Sequence, residues 1–319
     1  MVLKKVNNYV EKHELVKPNQ TIVVGFSGGP DSTFLLHYFM HIKTKYNLTI
    51  IAAHLDHEWR TSSFDDKLFC EKFCKKNTVP FIAARASELG VKQKKGGSKE
   101  ELGRTLRRAF FQYVKDKYQA DSIALAHHLD DQLETFFIRL LRGASITGLS
   151  AMRARHDDYI RPLLCLQKQE ILAYLEQHHI PFVIDPTNIS PEFLRNRIRL
   201  SLIPALEAVD KRYYTNIQKT IINLQETDKF LQKLAQQKLA EITDDKQTLN
   251  IKKFLALDIF LQKLVLTQWL YSAQVSFTLT NKFIDEILRF FSNTKSTTHT
   301  FNQWSIIKKR GQATIIKIT

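Results

Sequence analysis

Along the first half of the chain, short runs of consecutive apolar residues alternate with longer stretches in which apolar side chains recur every three or four positions. The runs are residues 21–26 (TIVVGF), 48–53 (LTIIAA), 80–84 (PFIAA) and 121–126 (DSIALA), and each reads as a strand buried on both faces. Helical periodicity fills the intervals at 33–46, 63–77, 99–118 and 131–142. Strands and helices in this order predict right-handed βαβ crossovers and an α/β fold with a doubly wound parallel sheet. Ligands of such sheets bind beyond the carboxyl ends of the strands, so the loops that start at Ser27, His54, Arg85 and His127 are expected to converge.

The pattern then changes. Residues 159–204 hold one helical stretch, 167–178, followed by VIDPTNISPEFLRNRIRLSLIP, whose prolines interrupt any period and predict an irregular appendage against the sheet. One long amphipathic helix is expected over 210–241, with further helical segments near 254–271 and 279–291. The terminal HTFNQWSIIKKRGQATIIKIT reads as a hairpin around a glycine turn. Two domains are therefore expected, 1–205 and a mainly helical 206–319. KQKKGGSKE at 92–100 is polar and glycine-bearing, the composition of a mobile loop.

Charge narrows the class. Lys and Arg number 47 against 32 Asp and Glu, a net charge of +15, which attracts polyanions: nucleic acid first, an anionic membrane surface second. No apolar run approaches the roughly 18 residues of a membrane span, and MVLKKVNNYVEKHE reads as an amphipathic helix without a signal-peptide core. A cytoplasmic protein with no membrane partner is expected. Cys70, Cys74 and Cys165 form neither a CxxC pair nor an even set, which argues against disulfides, an iron–sulfur site or a zinc ribbon. Cys70 and Cys74 share a helix face and are expected to pack in a core.

The chemistry is carried by short motifs. The first strand runs into Ser27-Gly28-Gly29-Pro30-Asp31-Ser32 and then a helix, so glycine turns can aim successive N–H groups and a helix N-terminus at one anion, with Ser27 and Ser32 adding hydroxyls. No G-x-x-x-x-G-K-[S/T] is present, so a cradle for pyrophosphate is a better match than a P-loop. The hexapeptide resembles the PP-loop of the N-type ATP pyrophosphatases, which cleave ATP between its α and β phosphates. That resemblance implies an adenine nucleotide alpha hydrolase-like fold, ATP as co-substrate and Mg²⁺, with Asp31 as the candidate metal and catalytic residue.

A second constellation, Ala126-His127-His128-Leu129-Asp130-Asp131-Gln132-Leu133-Glu134-Thr135 with Arg139 to Gly143 after it, is similar to the tRNA(Ile)-lysidine synthetases. Asp131 and Glu134 lie three apart on one helix face, where two carboxylates can hold a lysine ammonium and take its proton; the plainer reading is a helix cap. Glu101 to Phe111 resembles the family's E-x-A-R-x-x-R-aromatic helix, which places Arg104 and Arg107 toward ATP phosphates. It departs with Gly103 for alanine and Arg108 for an aromatic. His54-Leu55-Asp56-His57-Glu58-Trp59-Arg60 resembles H-x-x-H-G-L-R, with Glu58-Trp59 for Gly-Leu, and implies a part for His54 in binding the nucleotide. Asp185-Pro186-Thr187-Asn188 and Arg195-Asn196-Arg197-Ile198-Arg199 match the family's D-P-[S/T]-N and R-N-x-I-R. That match puts Asn188, Arg195, Arg197 and Arg199 on lysine or tRNA.

The resemblance covers about the first two thirds of the chain and implies a carbon–nitrogen ligase. In that reaction a wobble cytidine of the CAU-anticodon isoleucine tRNA is adenylated, and free lysine displaces AMP, changing decoding from Met to Ile. A tRNA thiolase of the same fold and a non-catalytic RNA-binding protein are the alternatives. Monomer and homodimer stay equally open.

Overall fold

The computed structural model describes residues 1–59, 63–91, 99–184, 193–275 and 280–318. Most of the mobile loop expected at 92–100, together with Arg60 and Asn188, lies outside the described residues. The chain divides into a unit of Met1–Ile221 and a unit of Ile222–Thr319.

In the first unit the elements follow in order as α1 (Val2–Lys12), β1 (Thr21–Gly25), α2 (Pro30–Tyr46), β2 (Thr49–Asp56), α3 (Ser63–Lys76), β3 (Phe81–Arg85), α4 (Lys99–Lys117), β4 (Ser122–Ala124), α5 (Leu129–Leu141), α6 (Ile146–Leu149), β5 (Arg155–His156), β6 (Tyr159–Ile160), α7 (Lys168–Gln177), α8 (Leu194–Arg197) and α9 (Ile203–Val209). Among the described residues the sheet order is β3-β2-β1-β4-β6-β5, parallel except for the β5/β6 hairpin. Order reverses between β1 and β4, so the crevice beyond their carboxyl ends is the natural ligand position of this sheet.

Alternate strand residues feed two apolar layers. Ile22, Val24, Ile50 and Ala52 join Phe34, Leu35, Phe39, Cys70, Ile171 and Leu175 on one face, while Val23, Ile51, Ala53 and Ile123 join Phe110, Phe111 and Val114 of α4 on the other. Each fully buried large apolar side chain stabilises by about 1.5–3 kcal/mol. β3 departs from the expectation of burial on both faces: it is the sheet edge, and Phe81, Ile82, Ala83 and Ala84 are half-buried. β6 was too short to announce itself by periodicity.

The part of the stretch expected to be irregular that follows Phe193 is helical. Residues 194–209 run as α8, a π turn over Ile198–Leu202, and α9. Pro204 has no N–H to donate to the preceding turn, and a π turn is one way a helix accommodates that missing bond. α10 (Tyr213–Ile242) begins in the first unit and continues into the second.

In the second unit, β7 (Leu249–Asn250), α11 (Ile251–Leu255), α12 (Ile259–Ser272), α13 (Asn281–Ser292), β8 (Thr298–Phe301), β9 (Trp304–Lys309) and β10 (Gln312–Lys317) follow. The expected hairpin is β9/β10, widened by β8 and β7 into an antiparallel sheet of order β7-β10-β9-β8. Its core gathers Trp269, Phe254, Phe291, Ile287, Val265 and Ile306.

Candidate active site

The loop after β1 closes on itself. Gly28 adopts φ +82°, and a Cβ there would lie 3.0 Å from Cys70 Sγ and 3.1 Å from Phe69, so both conformation and clearance demand glycine. Gly29 caps α2 and Pro30 opens its first turn. The Ser27 N–H donates to Ser32 Oγ at 3.2 Å, Ser32 Oγ donates to Gly29 O at 3.0 Å, and Thr33 Oγ1 donates to Gly28 O at 3.2 Å. These bonds fix the loop ahead of any ligand. Asp31, in the first turn of α2, sits where the helix dipole favours a carboxylate.

Across the crevice, the turn after β4 begins α5 with a capping box: the His128 N–H donates to Asp131 Oδ2 at 3.0 Å. The His128 ring stands among carboxylates, with Nδ1 3.3 Å from Asp130 and Nε2 3.5 Å from Asp131 and 3.8 Å from Asp31. Burial alone would lower the His128 pKa, but contact with Asp130 and the charges of Asp131 and Asp31 outweigh it and raise the ring above its ordinary value. Asp131 shows the mirror image: burial pushes its carboxyl up, and the His128 and His127 neighbours with the His128 N–H bring it below the usual range. His127 is driven down by burial, against the pull of Asp131.

Lys168 joins the two sides. Its ammonium donates to Asp31 Oδ1 at 2.6 Å and Oδ2 at 2.7 Å, and its backbone N–H donates to Asp130 Oδ2 at 2.8 Å. The sequence reading missed it, although a signal was there. Lys168 is the first residue of α7, the end at which the helix dipole opposes a cation, and such a placement calls for a partner.

Glu134 is where the arrangement departs most from the expected pair of carboxylates. Its side chain is 2% exposed, and its oxygens meet Arg195 Nε at 3.1 Å and Arg199 Nε at 2.7 Å. Burial pushes the Glu134 carboxyl up while the Arg199 bond pulls it down, and burial would lower Arg199 but the Glu134 bond raises it. Two guanidinium groups at these distances mark an ionised cluster. Asp131 and Glu134 thus serve different partners in this structure, the first a helix cap and the second a pair of arginines. Arg197 is exposed, as Arg199 partly is.

α4 places Arg107 between the ends of β2 and β4, where its charge acts on both His57 and His127. Arg107 Nε donates to Gly103 O at 3.3 Å. Arg104, exposed on the same helix, depresses Arg139 by its charge, after burial. Arg108, where the resembled helix has an aromatic, lays its guanidinium 5.9 Å from the Tyr159 ring centre, a cation–π contact in place of ring packing. His54 is 5% exposed, its Nδ1 3.0 Å from Phe26 O, so it braces the residue that enters the loop. Burial pulls His54 down, against the Phe26 carbonyl, which favours the protonated ring. Cys70 and Cys74 are fully buried behind the loop, and burial pushes the Cys74 thiol up to about 12.

Two further residues of the second constellation, Gln132 and Arg139, shape the crevice. Gln132 Nε2 donates to Met152 O at 2.6 Å, and the Met152 N–H donates to Gln132 Oε1 at 2.7 Å. Arg139 donates to Gly148 O at 2.7 Å and Ala151 O at 2.9 Å. Together they pin the connector after α5. Among the described residues no group of three His, Cys, Asp or Glu side chains has the geometry to hold a metal ion. Both Asp31 oxygens are bound by the Lys168 ammonium, and Mg²⁺ takes one or two carboxylates and leaves its other positions to phosphates and water.

The family described as PP-loop domain matches residues 2–206. The tRNA(Ile)-lysidine synthase of Bacillus cereus (strain ATCC 14579) is 33% identical over 305 residues, which are 92% of this chain and 64% of that protein. That of Clostridium tetani is 39% identical over 204 residues, 63% of this chain and 44% of its own length. The chain therefore spans less than two thirds of the curated relatives it matches. Among solved structures, the U34-tRNA thiolase NcsA of Methanococcus maripaludis shares the fold with a TM-score of 0.59 at 18% identity, covering 70% of this chain and 78% of that one.

Proposed function

Since this chain belongs to the PP-loop domain family, we propose that it adenylates a cytidine of tRNA with ATP and then couples the activated base to free lysine. The observation that carries the reading is the meeting of two loops at the switch point of the sheet, joined by Lys168 and His128 on Asp31. A pre-bonded anion cradle faces acids, an arrangement that suits a leaving pyrophosphate on one side and an amine on the other. The relatives are tRNA(Ile)-lysidine synthases, and the motif resemblance implies the substrates: the wobble cytidine of isoleucine tRNA with a CAU anticodon, and L-lysine.

The chain's own residues divide the work as follows. Ser27, Gly28, Gly29 and Ser32 hold the departing pyrophosphate by N–H groups and hydroxyls, with Pro30 opening the helix whose dipole adds to them. Asp31 would hold Mg²⁺, which supplies charge neutralisation on the phosphates, and Lys168 would then turn from Asp31 to the phosphates. Arg107 and Arg104 face the α-phosphate as the cytidine oxygen attacks. Asp131 and Glu134 receive the lysine ammonium, whose pKa of about 10.4 in water demands a base before attack. Because Glu134 is occupied by two guanidinium groups, lysine must displace one of them. Arg199, the more exposed at 42% against 26% for Arg195, is the one to leave, freeing it for an RNA phosphate. Asn188, Arg195 and Arg197 complete the contact with lysine and tRNA. The protein works in the cytoplasm, as a monomer or a homodimer.

The test is a ligation assay with labelled lysine, ATP, Mg²⁺ and total tRNA. Label in RNA with release of AMP and pyrophosphate is expected. Conversion of ATP to ADP, or AMP release without lysine in RNA, rejects the reading. Sulfur transfer is disfavoured because all three cysteines are buried, with thiols pushed upward by burial rather than poised as thiolates.

A further inference from the structure

Two departures from the resembled family, Trp59 beyond β2 and Gly103 inside α4, are one structural feature. A Cβ placed on Gly103 would lie 2.4 Å from Trp59 Cη2, 3.1 Å from Trp59 Cζ2 and 3.5 Å from His57 Cε1, so no side chain fits at 103 while the indole is seated. The indole stacks on the His57 ring with centroids 4.5 Å apart and planes 24° from parallel. It is nonetheless 43% exposed. A glycine in a helix interior weakens the helix, and here it is kept so that a large aromatic surface can lie against the helix backbone.

Position decides what that surface is for. Trp59 stands three residues past the carboxyl end of β2, the strand that pairs with β1, and β1 feeds the anion loop. One turn along α4 from Gly103, Arg107 offers a cation toward the same crevice. Burial, with the Arg107 charge, holds His57 at about 4, so the stack is neutral at physiological pH and presents a π-face rather than an ion. A nucleotide with its phosphates on the loop carries its base past the end of the neighbouring strand in a doubly wound sheet.

Resting on the adenylation reading above, we propose that the Trp59–His57 stack is the platform for the adenine ring of ATP, and that Gly103 is the clearance that seats it. Stacking reads a π-face rather than an edge pattern, so the platform favours purine over pyrimidine nucleotides by area and discriminates weakly between purines.

Calorimetry with α,β-methylene-ATP and Mg²⁺, without tRNA or lysine, tests this apart from ligation. Trp59→Leu is expected to bind the analogue about tenfold more weakly, within the range for loss of one base–aromatic stack. Trp59→Phe should stay within about twofold of the parent, and inorganic pyrophosphate should bind all three alike. Gly103→Ala should match the Trp59→Leu loss, and Trp59→Leu/Gly103→Ala should lose no more than either alone. Wild-type tryptophan emission should fall on adding the analogue, a change missing from Trp59→Leu. Unchanged analogue affinity in Trp59→Leu, an equal loss for pyrophosphate, or quenching by cytidine monophosphate in place of the adenine analogue would each overturn the platform. If Gly103→Ala does not fold, the Leu and Phe variants still decide. A failed ligation assay with a weakened Trp59→Leu rejects the proposed reaction and keeps the platform; active ligation with unweakened Trp59→Leu does the reverse.

Discussion

The two sides of the crevice are built in opposite ways. The loop after β1 is held mainly by bonds between residues at most five apart, Ser27 to Ser32 and Gly28 to Thr33, with one distant backbone bond from the Val183 N–H to Gly28 O at 2.9 Å. The side after β4 is assembled from afar: Glu134 meets Arg199, 65 residues on, and Asp130 accepts from the Lys168 N–H, 38 residues on. The first can form as soon as its strand and helix do; the second exists only when the unit is folded. Local bonding makes a side chain's role depend on its own motif, while long-range bonding makes it depend on partners that no motif contains.

The sharpest way to break the contrast is at Asp31, whose side chain in the local loop is bound by Lys168 from the distant side. Asp31→Ala should reduce AMP and pyrophosphate release by at least about hundredfold, the loss typical of a preorganised charged group at a reacting centre, with thermal unfolding little changed. A variant that keeps its rate but melts early would make Asp31 a structural anchor for Lys168 and return the two sides to independence. Next in size is Glu134→Gln. Breaking a buried ion pair costs about 3–5 kcal/mol, which the partly exposed arginines reduce to about 2 kcal/mol here. Urea unfolding of the variant should show it, and a shift below about 0.5 kcal/mol would mean that the arginines do not depend on Glu134.

The same contrast explains what could be read from the chain. Four strands, the helices between them and the anion loop follow from periods and from one contiguous hexapeptide, all local information. Asp131 and Glu134 could be placed on one helix face from their spacing. Spacing could not say that Glu134 already faces two arginines while Asp131 caps its own helix, because that depends on the course of residues 194–199. Those residues looked irregular, since Pro204 breaks the α period, yet a π turn carries the helix through. Lys168 and Gly103 were each legible only as a local violation, a cation at a helix start and a glycine inside a helix, and their reasons sit on other elements.

Acid should loosen the β2 side of the crevice before the loop itself. Burial and the Arg107 charge depress His57 to about 4, so as pH falls below the unfolded value of about 6.5 the unfolded chain takes up a proton that the folded ring refuses. Stability from this group is therefore full above about 6.5 and lost progressively as pH falls to about 4. His57→Phe keeps a ring under Trp59 and removes the titration. Its urea midpoint should fall less steeply than that of the parent between pH 6.5 and 4, and parallel profiles would show that His57 does not drive the acid limb.

The smallest effect should come from the middle arginine of Arg195-Asn196-Arg197-Ile198-Arg199. Four positions separate Arg195 from Arg199, so both return to the face of Glu134, whereas Arg197 is carried round to solvent. Arg197→Ala should leave urea unfolding within about 0.5 kcal/mol of the parent, as exposed substitutions do. If the exposed guanidinium instead meets an RNA phosphate, tRNA affinity should fall and the slope of log affinity against log salt should shrink by about one. Arg199→Ala should do both, losing stability through Glu134 as well as affinity. Equal behaviour of the two variants in both measurements would erase the distinction between the arginine that the fold uses and the arginine it offers.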